Sequence, residues 1–193
     1  MGSLFEILYD VLFQPKAAML SIADERKIEQ AALVFVLSLL IPLWALYFGL
    51  QEAGMPAMIQ WAAGVRIVGS LLMWFMSTAV WHLIAEFFGG RGTGLRLFTT
   101  LGFAYFPQVF IVPLWGFAAL VPVEFKTAVM AIAALLIFGW SLFLTVTAIK
   151  AVYQFSTAKA TLVMIMPLLV MALVGVIAFV FIGSAVTQLP MWL

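Results

Sequence analysis

Apolar and polar positions fall along this chain first as a short periodic face and then as long blocks. Leu4, Phe5, Leu8, Val11 and Leu12 recur at three- and four-residue intervals behind Ser3-Leu4-Phe5-Glu6, a capping-box spacing, and Pro15 closes the pattern. The spacing predicts a helix over about 3–14, too short to span a bilayer. Two readings compete: an interfacial amphipathic helix with Glu6 and Asp10 toward water, or an amphipathic helix packed on a bundle. Residues 21–30 are polar, with Asp24, Glu25, Arg26, Lys27 and Glu29, and Ser21-x-x-Asp24 has the spacing of a second helix start. This stretch is expected to form the aqueous first turns of a long helix.

From residue 31 onward, charge is almost confined to the gaps between blocks of about 20 or more apolar residues, each long enough to cross roughly 30 Å of hydrocarbon. The blocks are 31–50, 66–88, 97–121, 127–149 and 161–186, and residues 51–64, with Glu52, Gly54, Pro56 and Gly64, read as a loop between the first two. Pro42, Pro107, Pro113 and Pro167 interrupt the first, third and fifth blocks, where a missing N–H kinks a helix or frees a carbonyl. The expected fold class is all-α: a polytopic membrane bundle of five transmembrane helices with an N-terminal interfacial helix. No polar linker divides it, so residues 1–193 are expected to form a single membrane domain.

Composition sharpens this picture, since 66% of residues are hydrophobic and only 9% charged, against about a quarter charged in soluble domains. A formal net charge of +1, with nine scattered Lys and Arg, argues against a nucleic-acid partner. The absence of cysteine removes disulfides, thiol nucleophiles and thiolate metal sites. Glu6, Asp10 and Lys16 break up the first 20 residues, so the first span is expected to act as an uncleaved insertion signal.

The cations also predict topology. Lys16, Arg26, Lys27, Arg91, Arg96, Lys150 and Lys159 fall on one side of a five-span arrangement, and only Arg66 and Lys126 on the other. The positive-inside rule then puts the N-terminus in the cytoplasm and the C-terminus outside, with Trp44, Tyr47, Trp61, Trp115 and Trp192 near the outer side.

Candidate chemistry centres on residues 81–94, where an apolar run carries His82 and Glu86 before the glycine-rich Gly89-Gly90-Arg91-Gly92-Thr93-Gly94. At i and i+4 the two ionisable residues share a helix face. Three roles compete for them: a proton-responsive pair, two ligands of a metal site, or a structural pair in which Glu86 meets Arg91, Arg96 or Lys150. With one histidine in the chain, no metal or other cofactor is expected. The loop follows a helix and lacks a Gly-Lys-Ser/Thr ending, which argues against a nucleotide site. Its glycines suit a helix stop, with Arg91 complementing the negative helix end. Together with Thr93, Arg96, Lys150, Tyr153 and Lys159, Gly89, Gly90 and Arg91 make a candidate rim for an anionic lipid headgroup or a cytosolic partner. Gly102 with Ala104, and Gly139 with Ser141, permit close helix approach. No catalytic triad, carboxylate pair or metalloprotease motif is present, so an enzyme is not expected.

Several stretches in order resemble the Yip family of five-span membrane proteins, the Ypt/Rab-interacting type, in its prokaryotic branch. They are Phe13-Gln14-Pro15; His82-Leu83-Ile84-Ala85 running into Gly89-Gly90-Arg91-Gly92-Thr93; Leu101-Gly102-Phe103-Ala104-Tyr105-Phe106-Pro107; Trp140-Ser141-Leu142-Phe143-Leu144; and Ile149-Lys150 through Tyr153 to Ala160. The resemblance makes Pro15, Gly102, Tyr105, Pro107 and Trp140 motif positions. It implies a five-helix membrane domain with a cytoplasmic N-terminus, and a bacterial inner-membrane address. The expected function is a non-enzymatic protein that organises membrane or binds membrane lipids, or a membrane-protein or cytosolic partner, through its rim. A small oligomeric transporter or channel using His82 and Glu86 is the competing expectation, and a homo-oligomer is compatible with either.

Overall fold

The structure, a computed structural model, describes residues 3–25 and 27–187, with side chains through Ile182. Arg26 and Trp192, to which the sequence assigns a place in the charge and aromatic patterns, lie outside the described residues. Helix α1, Leu4–Phe13, begins in the expected capping box: the Ser3 N–H donates to Glu6 Oε2 at 2.6 Å, and the Glu6 N–H to Ser3 Oγ at 3.3 Å. A helix that the hydrophobic pattern does not predict follows at once. Helix α2, Pro15–Glu25, opens on the proline, whose fixed φ and missing N–H suit the first helical position. Ser21-x-x-Asp24 therefore caps nothing. Ser21 sits inside α2 and donates to Glu25 Oε1 at 2.8 Å, and the polar stretch ends α2 instead of leading continuously into the first span. The Lys27 ammonium lies 2.9 Å from Glu25; together with the Ser21 hydroxyl it holds that carboxyl below the usual carboxylate range.

Among the described residues, five stretches of helix are long and apolar enough to cross a membrane. Helix α3 is Ile28–Glu52 and runs unbroken through Pro42. The expected loop over 51–64 shrinks to a few residues, because Pro56–Met58 forms a 3₁₀ turn leading into α4, Ile59–Phe87, with Gly64 inside it. A lone glycine costs a helix only about 1 kcal/mol relative to alanine, too little to stop this one. The third span is broken into α5, Gly94–Ala104, a 3₁₀ turn at Phe106–Phe110, and α6, Ile111–Ala118. Pro107 removes the N–H that would continue the helical ladder, and the Gln108 N–H bonds Tyr105 at 3.0 Å in the tighter turn instead. Helix α7 is Val123–Tyr153; α8, Thr157–Thr187, continues through Pro167. Of the three spans expected to be interrupted by proline, only this third one is.

Packing is dense at one end, here the near end, which holds α1, α2 and the 88–93 and 154–156 connections. Helix α5 is its centre, with Leu97 and Thr99 through Ala104 all buried. It is enclosed by α2, α3, α4 and α7. The Trp74 indole stacks between Phe35 and Phe98, centroids at 4.1 and 3.9 Å, and donates Nε1–H to the Phe98 carbonyl at 3.1 Å, so one side chain ties three helices. Gly102 lets α5 cross α3 closely: a Cβ there would lie 3.0 Å from the Ala31 carbonyl. Helix α2 contributes Ala18, Met19, Ile22 and Ala23 to this core. Helix α1 buries Ile7 and Val11 in the same cluster, packs against α2, and exposes Phe5, Tyr9 and Phe13 along its other side. Toward the far end the bundle thins, and every residue of α8 from Leu168 to Ile182 is exposed. Trp44 and Trp61 are exposed there, and a Lys126–Glu52 ion pair at 2.8 Å joins α7 to α3 with Lys126 over the Trp115 ring.

Candidate functional site

The near-end loop is built by backbone before any side chain acts. Helix α4 ends in a Schellman motif, with the Gly89 N–H on Glu86 O at 2.8 Å and the Gly90 N–H on Ala85 O at 2.9 Å, and Gly89 takes the left-handed φ of 77° that this stop requires. The next glycines serve a different purpose. A Cβ on Gly90 would lie 2.6 Å from Tyr153 Cδ1, one on Gly92 2.6 Å from the Val152 carbonyl, and one on Gly94 2.8 Å from His82 Cδ2. Glycine at these alternate positions lets the loop lie flat on the α7 terminus and the His82 ring. Arg91, Thr93 and Leu95, between and after them, are exposed. The loop is a clamped strap whose outward face is set by its inward one.

His82 meets a partner 71 positions away: its Nδ1 and the Tyr153 hydroxyl are 2.7 Å apart, while its Nε2 is 3.5 Å from Glu86 Oε1. Tyr153 is buried and stacks on Phe155, whose ring carries the Lys159 ammonium at 4.3 Å. Gln154, in a left-handed conformation with φ 54°, turns the chain sharply between Tyr153 and Phe155. The expected structural pairing of Glu86 with Arg91, Arg96 or Lys150 is not present; the carboxylate faces its own helix neighbour, because Arg91 points outward and the other two are engaged elsewhere. Arg96 lies 3.9 Å from Asp24 of α2, and Lys150 donates to Thr157 Oγ1 at 3.1 Å. Arg91 has no hydrogen-bond or ion-pair partner among the described residues.

Two helix N-termini open onto the same rim. Thr93 caps α5, its Oγ1 accepting from the Arg96 N–H at 3.4 Å, and Ser156 caps α8, accepting from the Lys159 N–H at 3.3 Å. Beside them a cavity of about 350 Å³ is lined by Lys16, Thr147, Lys150, Gln154 and Phe155, among others. No cluster of three or more His, Asp or Glu able to hold a metal lies among the described residues, and none of the five cavities described for this protein is lined by His82 or Glu86.

A family model for the Yip1 domain matches residues 9–188 of the 193, nearly the whole chain. The chain belongs to the Yip1 domain family. No curated protein and no solved structure matches it. In this Yip1 protein the motif positions have evident packing roles at the near end. Pro15 starts α2, Gly102 permits the α3–α5 crossing, Tyr105 meets Phe35 edge to face at 5.0 Å, and Pro107 is buried in the turn that breaks the third span. Trp140 differs: it lies on the outer surface of α7, its ring 5.5 Å from Phe143.

Sequence spacing finds His82 and Glu86 but not the tyrosine that engages the histidine. It also leaves Arg66, Gln108 and Ser141 unnoticed as a group, although they line one cavity in the far half of the bundle. The cation at the start of the second apolar block is the one signal in the sequence that points there.

Proposed function

We propose that this Yip1 membrane protein is a non-enzymatic bacterial inner-membrane protein that uses its near end as a docking rim for an anionic surface, of lipid headgroups or of a partner protein. The observation that carries the reading is Arg91, held outward without a partner by glycines clamped on either side of it. The α5 and α8 N-termini add partial positive charge at the same rim, beside Arg96, Lys150 and Lys159. With six described Lys and Arg at the near end and Arg66 and Lys126 toward the far end, the charge distribution favours a cytoplasmic near end and N-terminus, and an external C-terminus. Helix α1 then lies at that membrane surface, its exposed Phe5, Tyr9 and Phe13 entering the interface while Ile7 and Val11 bind the bundle. The engagement of His82 by Tyr153 supports a structural role for the histidine over one in conduction.

The test is gentle extraction of the native protein, with mass spectrometry of what comes with it. Replacing Arg91, Arg96 and Lys159 together by Glu should abolish recovery of the bound lipid or protein; unchanged recovery contradicts the rim.

A further inference from the structure

Far from the rim, Arg66 lies seven residues inside α4, about 10 Å along the axis from Ile59 at a rise of 1.5 Å per residue. Its guanidinium carries five N–H donors. Among the described residues its one hydrogen-bond partner is Gln108 Oε1, at the long distance of 3.5 Å, and its Nε is buried without any. Among the described residues no carboxylate pairs with it: Glu52 at this end is taken by Lys126 at 2.8 Å, and Glu124 makes no ion pair. A second polar atom on the same cavity is also orphaned: the Ser141 hydroxyl is buried with no partner. The cavity measures about 350 Å³, and its other walls are apolar, Pro42, Leu46 and Phe138 among them. Phe138 is 61% exposed, so the space opens sideways, toward where lipid lies. A charge in a membrane-spanning helix is costly unless an opposite charge or hydrogen bonds meet it, and here the described residues supply no opposite charge.

We propose that this cavity is a lipid site, in which Arg66 and the free amide hydrogens of Gln108 hold the phosphate of an anionic phospholipid. Ser141 offers a further donor, and an acyl chain lies along Pro42, Leu46 and Phe138. The occupant is a lipid and not free phosphate because the polar groups sit at the edge of apolar walls within a spanning bundle. The depth of Arg66 matches the headgroup boundary of a helix longer than the hydrocarbon is thick. Arginine suits the task because its planar fork meets two phosphate oxygens at once.

Delipidated protein in neutral detergent, titrated with phosphatidylglycerol and read by native mass spectrometry, tests this against phosphatidylcholine and inorganic phosphate. Arg66→Gln should weaken phosphatidylglycerol binding about tenfold or more, the loss of a charge-assisted contact. Arg66→Lys should retain an intermediate affinity, and Arg91→Glu, at the other end, should leave this site intact. Equal affinity in wild type and Arg66→Gln overturns the proposal, and displacement of the lipid by millimolar inorganic phosphate overturns the lipid as its source. If Arg66→Gln does not fold, Gln108→Leu carries the same test, and unchanged binding in it overturns the site.

Discussion

Gly90, Gly92 and Gly94 differ from Gly64 in what a methyl group would meet, and that difference makes the strap testable one residue at a time. Alanine at 90 or 92 drives a Cβ to 2.6 Å of packed neighbours and should cost about 1–3 kcal/mol. Alanine at Gly64, with open space around it, should stabilise α4 by up to about 1 kcal/mol. Thermal unfolding in detergent reads both; equal effects at the two kinds of position would refute the clamp. Tyr153→Phe keeps the stack on Phe155 and removes the hydroxyl from His82, with an expected cost of about 0.5–1.5 kcal/mol. It should also change the ¹⁵N shift of His82 Nδ1, which a merely buried tyrosine would not. The i, i+4 spacing of His82 and Glu86 is legible because it is local. Tyr153 is not, because it reaches His82 only once α4 and α7 lie parallel and bring their C-terminal ends together. Arg66 stands out in the sequence as a charge, but that no described carboxylate meets it emerges only when α3, α4, α6 and α7 surround it.

At the scale of elements, the long apolar blocks announce themselves, since spanning hydrocarbon demands length and uniformity. Helix α2 does not. Its buried face is only Ala18, Met19, Ile22 and Ala23, diluted by Lys16 and Ser21, and Pro15 reads as an ending when it is a beginning. The helix nevertheless packs against both α5 and α7, so Met19→Ala, at a fully buried position, should cost about 2–5 kcal/mol in the same melt. A near-zero cost would show that α2 is an appendage. At the α2–α3 break, Glu25 has a lowered pKa through Lys27, so its ion pair favours the fold above the ordinary carboxylate pKa, and that support fades as pH falls through the lowered value. Because Glu25 is exposed, the effect should be small and should shrink with added salt, which Lys27→Gln should mimic. Proline gave ambiguous signals for the same reason in each span: losing one N–H leaves most of the ladder intact, and of the four block prolines only Pro107 falls in a turn that breaks the helix.

The described residues pack unevenly, densely around α5 at the near end and loosely where α8 stands exposed from Leu168 to Ile182. Lipid covers such a surface without cost, whereas the near end carries the polar strap, two helix N-termini and the unpartnered Arg91. On the proposed reading, this densely packed end faces the cytoplasm and is occupied there. The chain has no cysteine, so Leu95→Cys, at an exposed position just after the strap, offers a single thiol at the near end with the rim's cations left in place, and Glu124→Cys a reference at the far end. With a membrane-impermeant maleimide, the thiol at 95 should label in inverted inner-membrane vesicles and not in intact spheroplasts, with the reverse at 124. Position 95 should also label more slowly in native vesicles than in purified, delipidated protein. Labelling of position 95 from the outside, or at equal rates in vesicles and purified protein, would contradict a near end that is cytoplasmic and occupied.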